Sequence, residues 1–144
     1  MRNRLKSEPR TGLGGIADAT LTGKTRKERA EIFGFALRNF LDSFSRAKQF
    51  EKRAILRGDE PKRLKSALGD GGVADAYLAA LANHLARDTE TNPPSWADTG
   101  AGRLPDKPWF AMNSPEARIW LLTQSPAAFR ERNLFISEDA LSRA

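Results

Sequence analysis

Few residues in this sequence have the types and the spacing that catalysis or ligand binding requires. The segment Leu-Thr-Gly-Lys-Thr at 21–25 matches the end of a phosphate-binding loop, whose backbone N–H groups and lysine hold phosphate oxygens. Such a loop also needs a glycine where Asp18 stands and a buried strand before it, and the sequence meets neither condition. We therefore interpret 21–25 as a chance match.

His84 is the only histidine in the chain, and Asp88, four residues later, is its only candidate partner for a metal ion at helical spacing. Because a metal site needs more ligands than this pair, we expect a packed or half-exposed histidine. The chain has no cysteine, and no serine lies in a recognisable nucleophile elbow. The sequence therefore predicts no catalytic residue, no metal and no cofactor, and a protein that is not an enzyme.

Two pairs of adjacent carboxylates, Asp59-Glu60 and Glu138-Asp139, have the chemistry for proton transfer. Both pairs are expected at helix N-termini, where the helix dipole favours negative charge without any catalytic role. An enzyme with an unrecognised site would need polar groups such as His84 and Asp88 to converge in a pocket. An enzyme is the least favoured of the functions that this sequence allows.

The elements that position these residues are predicted to be helices, because no segment alternates convincingly between apolar and polar residues, as a strand would. Thr25 and Glu28 have the spacing of a capping box, and the apolar residues behind them form one helical face. We expect that face in the core; it consists of Phe33, Leu37, Phe40, Leu41 and Phe44. Further helices are predicted over 46–57, 61–68, 73–88, 115–123 and 126–132, with N-caps at Ser114 and Ser125 and a last turn from Ser137.

The fold class that these elements predict is all-α, a single small domain of about five to seven helices. Residues 1–24 lack hydrophobic periodicity, so we expect a flexible basic arm there and a helical domain over 25–144. Residues 89–114 form a long loop rich in Pro, Asn, Asp and Gly. A loop of that length in a compact domain needs an anchor, and we expect it to be pinned by its large aromatic residues, Trp96, Trp109 and Phe110.

The positive charge of the chain is concentrated in two segments. Residues 1–30 and residues 46–65 each contain eight basic and three acidic residues, a net charge of +5 each, whereas residues 66–144 carry −3. We expect the helix over 46–57 to turn Ala47, Phe50 and Ala54 inward and its basic residues outward. Such a face is most often only solvated, but it can also bind phosphates. The candidate nucleic-acid-binding residues are Arg46, Lys48, Lys52, Arg53 and Arg57.

The sequence contains no apolar run near the roughly 20 residues that a membrane helix needs, and its basic start has no apolar stretch behind it. We therefore expect no membrane contact and a cytoplasmic location.

The last half of the chain resembles the C-terminal part of a group of small prokaryotic proteins. The similar stretches are DAYLAALANHLARDTETNPPSW, DKPWF and SPAAFRERNLFISEDALSRA, within residues 73–144, and FLDSF at 40–44 resembles that group's first helix. These proteins are often encoded beside nucleotidyltransferase-like genes, in pairs that resemble toxin–antitoxin or defence modules. The resemblance implies a helical, antitoxin-like protein that binds and neutralises a nucleotidyltransferase-type toxin.

The residues expected to contact such a partner are aromatic residues and arginines of the C-terminal half, because these types are enriched at binding hot spots. They are Trp109, Phe110, Phe129, Arg130, Arg132 and Phe135. The alternative for each aromatic residue is that it anchors a loop to the domain's own core. The alternative function is nucleic-acid binding or operon autoregulation through the basic segments 1–30 and 46–65.

Overall fold

The structure, a computed structural model, describes residues 12–99 and 102–141. The polypeptide is mostly helical, as expected for an all-α protein, and its only strands in these ranges form a two-residue parallel ribbon. Short 3-10 turns lie at Ser95–Ala97 and Glu138–Leu141. The helices and strands, in chain order, are α1 Leu13–Thr20, α2 Arg26–Arg46, α3 Gln49–Leu56, α4 Lys65–Leu68, α5 Val73–Asp88, β1 Trp109–Phe110, α6 Pro115–Gln124, α7 Ala127–Arg130 and β2 Leu134–Phe135.

Helix α1 lies where the sequence predicted an extended arm, and that prediction is wrong for residues 12–24. Its buried residues, Leu13, Ile16, Ala17 and Thr20, recur at the i, i+3, i+4, i+7 spacing of an amphipathic helix. The Thr20 hydroxyl donates to the Ile16 carbonyl at 2.8 Å, so the buried polar group is satisfied. Residues 1–11 of the predicted arm lie outside the described residues.

Helix α2 packs against α1 and α4 and begins at the predicted cap. The Thr25 hydroxyl accepts the backbone N–H of Glu28 at 3.0 Å, whereas the Glu28 carboxylate accepts the N–H of Lys24 instead of that of Thr25. Of the predicted apolar face, Phe40, Leu41 and Phe44 are buried, and the two residues nearer the N-terminus are half-buried against the core.

Helix α5 is the centre of the fold and has the bounds predicted from its sequence, 73–88. It is buried nearly all round, and its alanines allow α3, α4 and α7 to approach closely. Tyr77 packs edge-to-face on Phe129 of α7, with ring centres 5.0 Å apart. The burial also raises the pKa of Tyr77 to about 12, because the phenolate would lose its hydration.

Of the helix predicted over 61–68, only α4, Lys65–Leu68, is helical in the structure. The Asp75 carboxylate accepts the N–H groups of Leu64 and Lys65, at 2.7 and 3.2 Å, and Arg103 donates to the carbonyl of Pro61. These contacts hold the backbone of the preceding residues outside a helix, so Asp59-Glu60 does not lie at a helix N-terminus.

The C-terminal segment contains both predicted Ser-Pro steps, but they differ in structure. The Ser114 hydroxyl caps α6 by accepting the N–H of Ala117 at 3.1 Å. The Ser125 hydroxyl instead donates to the Leu121 carbonyl at 2.6 Å and accepts the N–H of Ile136 at 2.9 Å. The predicted N-cap role of Ser125 is therefore wrong, since this side chain joins the end of α6 to the residue that follows β2.

Candidate functional site

The six residues predicted to contact a partner do not form one surface. Phe129 and Arg132 are fully buried, so the prediction is wrong for both, because neither side chain can reach a partner without opening the core. Arg130 lies exposed at the end of α7. Three predicted residues remain half-exposed in the ribbon of β1 and β2, and these are Trp109, Phe110 and Phe135.

The Arg132 guanidinium acts inside the domain. Its two terminal nitrogens donate to the carbonyls of Arg103 and Ala97. No salt bridge to Arg132 is present within the described residues, and its Nε has no partner there. Burial lowers the pKa of Arg132 from its ordinary value, because the charged form loses hydration, although the nearby Asp98 carboxylate opposes this. A core explains this arginine, and a binding surface does not.

Arg103 is the second fully buried guanidinium and holds the long loop from within. It lies 3.1 Å from the carboxylate of Glu60 and 3.6 Å from that of Asp75, and its guanidinium carbon is 5.1 Å from the ring centre of Trp96. Trp96 and Trp109 also pack against the core, as the predicted pinning requires. The loop is therefore fixed by two buried arginines as well as by its aromatic residues.

The ribbon of β1 and β2 directs neighbouring aromatic side chains to different surroundings. Trp109 lines an apolar groove between α2 and α5. Phe110 stacks on Phe135 at 4.7 Å between ring centres, and the guanidinium of Arg118 on α6 lies 4.8 Å from the centre of the Phe110 ring. The stacked pair thus supports the start of α6.

Helix α6 exposes more large apolar side chains than it buries. Leu121 is fully buried against the ribbon, whereas Ile119 is 66% exposed. At about 100° per residue, Trp120 and Leu122 flank Ile119 on the outer side of the helix. No charged residue occurs between 119 and 124. We call this surface the α6 patch, and its exposed large residues are Ile119, Trp120 and Leu122.

None of the α6 patch residues was predicted from the sequence, although a signal for them exists. Residues 119–122 read Ile-Trp-Leu-Leu, and four consecutive residues of a helix span about 300° of its circumference. A short helix that contacts its domain along one line cannot bury all four. The position of the helix could therefore be predicted from the sequence, and this apolar run indicates that part of it stays exposed.

Helix α3 is oriented differently from the prediction. Phe50 and Ala54, expected in the core, are exposed, and Phe50 is 69% exposed. Lys52 and Arg53 are half-buried instead: the Lys52 ammonium lies 5.5 Å from the ring centre of Phe44, and Arg53 reaches the Thr89 carbonyl at 3.5 Å. The other candidate nucleic-acid-binding residues are exposed just before and just after α3 in the chain, and these are Arg46, Lys48 and Arg57.

The two basic segments approach each other in the fold. Gly12 lies against α3 so closely that a methyl group on it would come within 2.8 Å of the Ile55 carbonyl oxygen. Lys62 pairs with Asp18 of α1 at 3.4 Å. Gly12, the first residue that the structure describes, therefore lies beside α3.

The remaining candidates for chemistry do not converge. The His84 imidazole lies 3.5 Å from the Asp88 carboxylate and edge-on to Phe129, and no third ligand joins them. Among the described residues, no cluster of three or more His, Asp or Glu side chains is arranged to hold a metal ion. The segment 21–25 is the turn between α1 and α2, so it follows a helix and not a strand.

No helix in the described part of the chain combines the length and the apolar character that crossing a bilayer demands.

Comparison of the chain with protein-family models, with curated proteins and with solved structures finds no match.

Proposed function

We propose that this protein is an interaction module of antitoxin-like type, which binds a partner enzyme through the α6 patch and neutralises it. The observation that carries the proposal is the exposure of Ile119, Trp120 and Leu122 on one side of a helix with no charge between residues 119 and 124. In a chain with 29% charged residues, such a surface is the kind that interface cores use. Aromatic residues such as Trp120 also dominate binding energies.

The geometry of α6 favours insertion into a groove of the partner. An amphipathic helix binds in this way through side chains one turn apart, as Ile119 and Leu122 are. Helix α6 has 10 residues and is therefore about 15 Å long. A flat contact between two copies of α6 would supply only part of the roughly 800 Å² per partner of a standard interface. A groove that encloses the helix on three sides buries more of it, so we favour a larger partner over a second copy.

The partner class comes from the resemblance of residues 73–144, which implies a nucleotidyltransferase-type toxin encoded beside this protein. In the proposed complex, α6 occupies an apolar groove of the enzyme. Because the α6 patch is apolar, the affinity would depend little on salt.

Co-expression with the adjacent nucleotidyltransferase-like protein tests this function. The full chain should co-purify with the enzyme and relieve its toxicity. Ile119→Asp should weaken binding at least about 30-fold, since a central hot-spot residue contributes 2 kcal/mol or more. Phe35→Asp is the matched control, because Phe35 is 61% exposed on α2 and lies outside the α6 patch. Both variants should keep their helical circular dichroism.

Two results would contradict the proposal. The enzyme could fail to co-purify and remain equally toxic in the presence of this protein. Alternatively, sedimentation could show a stable homodimer that dissociates in the Ile119→Asp variant but not in the Phe35→Asp variant. That second result would assign the α6 patch to self-association.

A further inference from the structure

A second exposed aromatic side chain, on α3, has surroundings quite different from those of the α6 patch. Phe50 is 69% exposed, and the residues three, four and seven positions later, Arg53, Ala54 and Arg57, follow it along one side of the helix. We call these four residues the α3 face. The small side chain of Ala54 leaves space beside the phenyl ring, and the exposed Arg57 ends the face, whereas the half-buried Arg53 guanidinium is turned to the Thr89 carbonyl.

The charges around the α3 face are positive and mostly unpaired. In the part of the chain that the structure describes, the exposed side chains of Arg46, Lys48 and Arg57 form no salt bridge. Glu51 is the only acidic residue among residues 46–57, which contain five basic ones, and the net charge is +4. The Glu51 carboxylate is turned to the helix start, where it accepts the N–H of Lys48 at 2.8 Å.

We infer that the α3 face binds single-stranded nucleic acid, with Phe50 stacking on an unpaired base and the basic residues contacting phosphates. Proteins that bind single strands combine these two features, a positively charged track and an exposed aromatic platform. This site lies on a different element from the α6 patch, so it goes beyond the proposed interaction with an enzyme.

The exposed ring distinguishes this ligand from two others. A duplex keeps its bases stacked and would engage the cations but leave Phe50 unused. An acidic protein surface would also need only the charges. A face that was merely solvated would present its basic residues and turn Phe50 inward, which is the arrangement that the sequence predicted and the structure does not have.

Fluorescence anisotropy with a labelled oligo-dU and with a labelled DNA duplex of equal length tests the inference on the full chain. The wild type should bind the single strand more tightly than the duplex. Phe50→Ala should weaken single-strand binding roughly 5- to 150-fold, the range for loss of one base stack, and leave duplex binding unchanged. Phe50→Trp should restore the affinity. Phe35→Ala, which removes an equally exposed ring from α2, is the matched control and should change nothing.

Salt dependence tests the phosphate contacts separately. With three cations engaged, the logarithm of the affinity should fall with the logarithm of salt at a slope of about −2, or about 20-fold between roughly 50 and 200 mM. Lys48→Glu or Arg57→Glu should each make that slope shallower. Equal binding of both probes, or an unchanged affinity of Phe50→Ala for oligo-dU, would overturn the inference. It would also be overturned if polyglutamate displaced oligo-dU equally well from the wild type and from Phe50→Ala. None of these results depends on the partner enzyme.

Discussion

Replacement of Arg132 by alanine or by methionine separates the two ways in which this buried side chain can stabilise the fold. Arg132→Ala removes the long apolar stem from a fully buried position, and large-to-small changes of this kind cost about 2–5 kcal/mol. Both substitutions also remove the hydrogen bonds to the carbonyls of Arg103 and Ala97. The Ala97 carbonyl keeps the amide of Asn83 as a donor at 2.8 Å, so only the Arg103 carbonyl loses a described partner.

The hydrogen-bond loss is therefore about 1–3 kcal/mol in each variant. It is opposed by relief from burying a charge that has no carboxylate partner, an effect that is often neutral or stabilising when an apolar side chain of similar volume takes its place. Arg132→Met keeps the volume, so we expect its free energy of unfolding to lie within about 2 kcal/mol of the wild type. Arg132→Ala should be less stable than Arg132→Met by at least about 2 kcal/mol.

Urea unfolding followed by circular dichroism measures both differences. An unchanged dependence of the free energy of unfolding on urea concentration indicates an unchanged native state. Arg130→Ala is the matched control: its side chain is exposed two residues earlier, and we expect a change within about 0.5 kcal/mol. Equal stability of Arg132→Ala and Arg132→Met would refute the packing argument. A neutral Arg132→Ala would refute the burial itself.

Three further predictions concern the stability of the fold. Tyr77 is ordinarily protonated up to about pH 10 when unfolded and has a folded pKa of about 12, so its contribution to stability is fully present below about pH 10. Stability should fall by up to about 2–3 kcal/mol between pH 10 and 12, and Tyr77→Phe should abolish that part of the fall in alkaline urea titrations. Asp75→Ala should destabilise by about 3–5 kcal/mol in the same assay, because it removes one of the two carboxylates near the buried Arg103 and the acceptor of the Leu64 and Lys65 N–H groups. Thr25→Ala should lower the thermal midpoint by an amount corresponding to about 1 kcal/mol, through loss of the α2 cap.

Elements with one dominant apolar pattern could be predicted from the sequence, and α5 is the best case. Its alanines and leucines are buried on nearly every side, so no choice of face had to be made. Helix α1 was missed because residues 1–24 as a whole lack hydrophobic periodicity, although Leu13, Ile16, Ala17 and Thr20 have helical spacing. In α1 the local spacing of apolar residues indicates the structure, and the composition of the whole segment does not.

The candidate site was harder to predict, because burial of a side chain depends on partners distant in the sequence. Arg132 is stabilised by carbonyls 29 and 35 residues away, and nothing near it in the sequence indicates them. The sequence of α3 is compatible with burial of either of two opposite sides of the helix. The apolar stems of Lys52 and Arg53 cover the neighbouring helices, and this leaves Phe50 outside. In both cases long basic side chains are buried or half-buried, and the local sequence does not indicate it.

This use of basic side chains decides which variants inform on function. Helix α6 is attached through Leu121 and through the Ser125 hydroxyl, which bonds to Ile136. Ile136 lies four residues after Arg132 in the same C-terminal segment, so a destabilising variant such as Arg132→Ala would loosen the support of the α6 patch. Such a variant would lose partner binding without ever having touched the partner. Contact with the enzyme is therefore tested only by exposed positions such as Ile119, whose substitution leaves the buried arginines in place.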